Sequence, residues 1–221
     1  MFRSEANHLY FVSKTDDIFP VSAALHNLIH KQGYQDIILD FSQSTFLDPK
    51  FMVPLVTTAR SYRGEKVDFE LVPPDDPGAA KLLQNANWAH LITPEKFEPR
   101  DDRNKNHLSA IQYVNATEQF DAVDRSINVI LQSIGGLDRS RLKALESSLN
   151  EITDNVLNHA ESSVGGIVQV VTFAKKQLVE FFVCDAGIGI PRSLRQGRPE
   201  ITDDVRALRA AQTARHARGD E

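Results

Sequence analysis

Short apolar runs alternate with stretches of helical period through the first 95 residues. His8–Ser13 (HLYFVS), Asp36–Phe41 (DIILDF) and Lys66–Val72 (KVDFELV) read as strands. Between them, Leu25, Leu28 and Ile29 fall at helical spacing within Val21–Lys31. Pro49 opens a second helix that runs to Tyr62, and Pro77–Asn85 forms a short third. Strands alternating with helices predict a parallel or mixed sheet with helices packed on it.

Residues 95–106 are charged and carry proline, and with Pro94 they read as a linker between a unit at 1–94 and one at 107–221. A strand is expected at His107–Asn115. Phe120, Val123, Ile127, Leu131 and Ile134 then repeat a 3–4 spacing that marks a helix ended by Gly135 and Gly136. Leu142, Leu145, Leu149, Ile152 and Val156 form a second such stripe. Val164–Cys184 reads as strand, turn and strand, with Val179–Cys184 (VEFFVC) the buried second strand. Arg206–Ala217 reads as a short Ala/Arg-rich helix followed by a tail. The fold class expected is therefore α/β in both halves.

Composition narrows this picture without redirecting it. With 41% hydrophobic and 25% charged residues, the chain has the balance of an ordinary globular protein. A net charge of −5 carries no signature of nucleic-acid binding. The single cysteine, Cys184, rules out an intramolecular disulfide. No apolar run reaches the length of a membrane span and no signal peptide is evident, so a cytoplasmic protein with no membrane partner is expected. His26 and His30 have ligand-like spacing, but no third ligand is near in sequence, and half-buried or surface histidines are the plainer reading.

Candidate chemistry concentrates in two segments. Leu149–Ala160 (LNEITDNVLNHA) sets Glu151 and Asn155 four apart, one turn from each other on a helix, with Asp154, Asn158 and His159 flanking them. A solvated polar face is the plain reading of such a row. Two asparagines inside a helix argue against it, because Asn favours caps and turns. Val183–Pro191 (VCDAGIGIP) runs a strand into Asp185-Ala-Gly187-Ile188-Gly189-Ile190. The acid at the strand end can accept a hydrogen bond from an exocyclic amine. The glycines admit a ligand close to the backbone, and Ile188 and Ile190 offer apolar walls.

These two segments, in this order and separated by a strand-turn-strand, resemble the N box and first glycine box of the Bergerat-fold (GHKL) ATPases. The resemblance implies ATP with Mg²⁺ as cofactors. Glu151 would be the catalytic base or water-polarising carboxylate, and Asn155 the metal-binding residue. Asp185 would read adenine, Gly187 and Gly189 would shape the pocket floor with Ile190 beside them, and Asn158 and His159 would lie near the ribose or phosphates. The chemistry would be that of phosphoryl transfer, in which a metal neutralises phosphate charge while a positioned group orients the nucleophile. The family's second glycine box does not follow Pro191, so the domain is read as incomplete at its C-terminus, with hydrolysis slow or absent.

The stretch LDFSQSTFLDPKFMVPL (residues 39–55) resembles the STAS domain of anti-sigma-factor antagonists. In that family a Ser after the Asp is the phosphorylation switch; here Pro49 and Lys50 follow Asp48, which favours a docking role. The combined expectation is an ATP-binding regulatory protein that acts through protein contacts, its partner another STAS or regulatory protein or a second copy of itself. Two alternatives stand beside it: a Ser/Thr protein kinase of the anti-sigma type, and a non-enzymatic interaction module.

Overall fold

The computed structural model describes residues 2–12, 17–100, 107–207 and 209. The chain is a mixed α/β protein with two sheets. The first sheet contains β1 (Phe2–Glu5), β2 (His8–Phe11), β3 (Asp36–Asp40) and β4 (Asp68–Val72) in that spatial order. β1 is antiparallel to β2, whereas β2, β3 and β4 run parallel. The crossovers are α1 (Phe19–His26) and α2 (Pro49–Gly64), and α3 (Pro77–Asn85) and α4 (Trp88–Ile92) follow β4. Strand alternation buries Leu9, Phe11, Ile37, Leu39, Phe69 and Leu71 on one face.

The polar face of this sheet has its own order. The His8 ring stacks on Tyr10 with centroids 3.8 Å apart, and its Nε2 lies 3.2 Å from Asp40 Oδ2. Burial raises the Asp40 carboxyl, but hydrogen bonds from Ser42 and the His8 partner outweigh it and leave the pKa below the ordinary aspartate value. A carboxyl depressed in the folded state stabilises above its unfolded pKa of about 3.9, and that stability is lost as pH falls through the folded value. Asp40→Asn is therefore expected to lose less stability than the wild type below about pH 4, read by denaturant midpoints across an acid series. Parallel acid limbs in the two proteins would sink this assignment.

The second sheet has the order β5 (His107–Tyr113), β6 (Gly166–Phe173), β7 (Leu178–Asp185), all antiparallel. Helices α5 (Ala116–Ser133) and α6 (Lys143–His159) cover one face, and α7 (Gly189–Gly197) follows β7. Asn115 caps α5 by accepting from the Glu118 amide while Glu118 reaches back to the Val114 amide, a reciprocal box that sets where the helix starts. Arg139 bridges Asp124 of α5 and Glu146 of α6, each at 2.6 Å.

The other face of this sheet packs on α2 through β6 and β7, and Trp88 of α4 reaches β6. Helix α2 lies between the two sheets and is buried nearly all round: Phe51, Met52, Val53, Leu55, Val56, Thr57 and Ala59 are all inside. The core of the first unit consequently takes in Ala110 and Ile167 and packs on Phe182 and Cys184. Polar ties reinforce this seam. Trp88 Nε1 donates to Gln169 Oε1 at 2.9 Å, the Ala110 amide to the Ala86 carbonyl at 3.0 Å, and Asn87 Nδ2 to the Ala110 carbonyl at 3.0 Å.

Several elements differ from their sequence reading. The helix expected over Val21–Lys31 starts at Phe19 and widens into a π-helical turn at Asn27–Lys31. Strand β1, helices α4 and α7 and a 3₁₀ turn at Arg139–Leu142 are additional to it; β1, α4 and the 3₁₀ turn are too short to show a period. The apolar stripe of α6 is rotated. Leu145 and Ile152 are 37% and 39% exposed, and Thr153 is buried in their place. Within 95–100, Phe97 packs on the core and the Arg100 amide donates to Asn87 Oδ1 at 3.0 Å. Residues 101–106, Ser13 and all of the Arg206–Ala217 helix except 206, 207 and 209 lie outside the described residues.

Candidate functional site

The two segments singled out in the sequence meet at one end of the second sheet. Their meeting point is the carbonyl of Ala160, the residue that caps α6. The Ile188 amide donates to it at 2.7 Å. Gly187 passes so close that a Cβ there would lie 2.6 Å from the Ala160 carbonyl carbon and closer still to its oxygen. A glycine is thus required by contact, not by its dihedral angles. Asp185 ends β7, and its Oδ1 accepts from the Gly187 amide at 2.8 Å, which closes the turn. Asp185 is exposed, and its second carboxylate oxygen has no partner among the described residues.

On α6, Glu151, Asn155 and His159 follow one another at i, i+4 and i+8, forming one row along the helix. All three are exposed, as are Asp154 and Asn158, and Ile152 sits exposed beside the row. Asn158 and His159 belong to the turn that meets the Asp185 loop. Glu151 lies nine residues before Ala160, about 13 Å along the axis. The chain therefore gathers Asp185, Gly187, Ile188, Asn158 and His159 at one end of the helix and displays Asn155 and then Glu151 progressively further along it.

Gly189 has a different role from Gly187. Its φ is +73°, and only Pro191 Cδ, at 3.9 Å, approaches its Cβ position, so it serves the change of direction into α7. Ile190 is 57% exposed on the first turn of α7 and belongs to none of the three core clusters. Gln196 Nε2 donates to Glu161 Oε1 at 3.0 Å, which ties α7 to the loop after α6.

Behind the exposed row is a buried polar network that composition and period did not reveal. Tyr113 Oη donates to the Thr153 carbonyl at 3.2 Å, and Gln119 Nε2 to Thr153 Oγ1 at 2.7 Å. Burial first, and the Asp185 carboxylate second, push the Tyr113 phenol above its ordinary range, so it remains a neutral donor. A Cβ on Gly166 would clash with the Tyr113 ring, so strand β6 and this tyrosine are fitted to one another. The one signal available in the sequence is Thr153 itself, a polar residue flanking an apolar stripe.

Among the described residues no three His, Cys, Asp or Glu side chains form a group suited to a metal ion, and no helix is long and apolar enough to cross a membrane. Comparison of the chain with family models, with curated proteins and with solved structures finds no match.

Proposed function

We propose that this chain is an ATP-binding regulatory protein that acts through protein contacts and turns ATP over slowly or not at all. The observation that carries the reading is the junction of the α6 C-terminus with the Asp185 turn through Ala160, Gly187 and Ile188. It brings an acid whose second oxygen has no partner among the described residues to the end of a helix that displays carboxamides and a carboxylate at increasing distance. A ligand with an amine at one end and phosphates neutralised by Mg²⁺ further along would follow that order. The arrangement of α6 before the antiparallel pair β6–β7 also supports a Bergerat-type second unit, and the parallel strands β2–β4 with α1 and α2 support a STAS-like first unit.

The residues present fit the implied cofactor. The Asn155 carboxamide oxygen is a hard donor of the kind Mg²⁺ accepts, and Mg²⁺ is ordinarily held by one or two protein groups together with substrate phosphates. Such a site asks for no protein cage of three ligands. When bound, the ion would neutralise phosphate charge. Asp185 would accept from the adenine amine, Asn158 and His159 would lie beside the ribose or phosphates, and Glu151 would polarise water. Hydrolysis would need further phosphate donors around the γ-phosphate, whose electrostatic contribution is on the order of several kcal/mol.

Isothermal calorimetry with Mg-ATP, Mg-ADP and Mg-GTP tests the reading. The adenine nucleotides are expected to bind and GTP is not. Asp185→Asn presents an amide donor where an acceptor is needed and is expected to weaken ATP binding by about 1–3 kcal/mol. Absence of heat at millimolar nucleotide would defeat the proposal, and transfer of labelled phosphate to a protein serine would place the chain among kinases instead.

A further inference from the structure

Arg60 occupies the second half of α2, the helix between the two sheets. Its Nη2 donates to Gln112 Oε1 of β5 at 2.7 Å, and Gln112 Nε2 donates to the Val164 carbonyl at 2.7 Å. Val164 lies in the loop that joins α6 to β6. That loop begins at Ala160, the carbonyl that receives the Ile188 amide. It is tightly built: Ser162 Oγ donates to the Gly165 carbonyl at 2.7 Å, and Gly165 has a φ of +66° with no room for a Cβ against Tyr113 and Val114. A loop closed in this way moves as a unit, so a displacement at Val164 reaches Ala160 four residues away.

Arg60 is an odd residue to find there. It is half-buried, it has no carboxylate partner among the described residues, and its Nε is buried without a hydrogen bond. Burial first, and the charge of Arg63 second, lower its pKa from the ordinary arginine value. An apolar side chain of similar length would fill the seam without desolvating a cation. What the guanidinium adds is a directed bond to Gln112.

We propose that Arg60 is a positioning residue for the candidate nucleotide site: through Gln112 it fixes the 160–165 loop and the Asp185 turn that the loop supports, so that the first unit sets the affinity of the second for its ligand. The nucleotide part rests on the ATP reading above; the mechanical part does not.

The test uses the full chain, with amide hydrogen exchange and Mg-ATP calorimetry on Arg60→Met, Arg60→Lys, Gln112→Leu and Arg63→Met. Arg60→Met is expected to speed exchange at residues 161–166 and 187–188 and to weaken Mg-ATP about three- to tenfold. Arg60→Lys keeps a donor for Gln112 and is expected to recover most of both. Gln112→Leu should match Arg60→Met, and the double variant should lose nothing more, because the two act on one line. Arg63, which bonds Glu95 and the Ile92 carbonyl, is the control: Arg63→Met should leave both readouts unchanged. Unaltered loop exchange in Arg60→Met, or equal loosening in Arg63→Met, would overturn the proposal. If the wild type gives no heat with Mg-ATP, the nucleotide reading fails by itself and loop exchange decides the coupling.

Discussion

Replacing Trp88 by Ala is expected to be the most damaging single change in this protein, lowering stability by about 3–5 kcal/mol. Trp88 is 0% exposed and sits on α4 at the seam between the two sheets. Its removal leaves a cavity in the shared core. It also leaves Gln169 Oε1, on a buried side chain of β6, without its donor. Both sides of the seam lose support at once, so chemical denaturation followed by far-ultraviolet circular dichroism should show one transition moved to lower denaturant. A loss under about 1 kcal/mol would mean that the seam is loose and that each unit is stable by itself. A fragment ending near Pro94 keeps its own sheet but exposes the sides of α2 and α4 that the second sheet covers, and its unfolding is expected at lower denaturant than that of the whole chain.

Gly187→Ala is expected to have the largest effect on ligand binding. Its Cβ would meet backbone atoms of Ala160, which have no freedom to rotate away as a side chain would. The turn must separate from α6, and the Ile188–Ala160 hydrogen bond is lost with it. Overpacking of this kind costs about 1–3 kcal/mol of stability, and the displaced Asp185 should take Mg-ATP binding below detection. Gly189→Ala provides the contrast. It has space for a Cβ but a φ of +73°, so its cost is backbone strain of about 1–2 kcal/mol with no clash at Ala160. Wild-type nucleotide affinity in Gly187→Ala would show that the α6–turn junction is not part of a binding site.

These expectations trace back unequally to the sequence. The strands β2–β7 and the helices α2, α3, α5 and α6 are legible in period and punctuation. Their apolar runs or stripes stand out from the residues around them, and proline, the Gly135–Gly136 pair and the caps mark the ends of the helices. The row Glu151, Asn155 and His159 and the Asp185–Gly187 turn are equally local: spacing on a helix and glycine after an acid need no tertiary information to be noticed.

Other features were settled only by packing. Whether Ile152 or Thr153 turns inward on α6 depends on Tyr113 and Gln119, which come from β5 and α5, and a polar residue is tolerated inside once distant donors satisfy it. Over Phe51–Ala59 helix α2 is buried on more than one side because it lies between two sheets, and a single amphipathic stripe does not describe a helix in that position. The need for Gly187 comes from a carbonyl 27 residues earlier in the chain. By itself the sequence determined the local elements and the residue types available for chemistry, because backbone period and side-chain donors are local properties. The tertiary structure alone decided which faces are dry, which glycine has no room for a Cβ and which hydrogen bonds tie α2 to the loop after α6. Those depend on contacts between residues far apart in the chain.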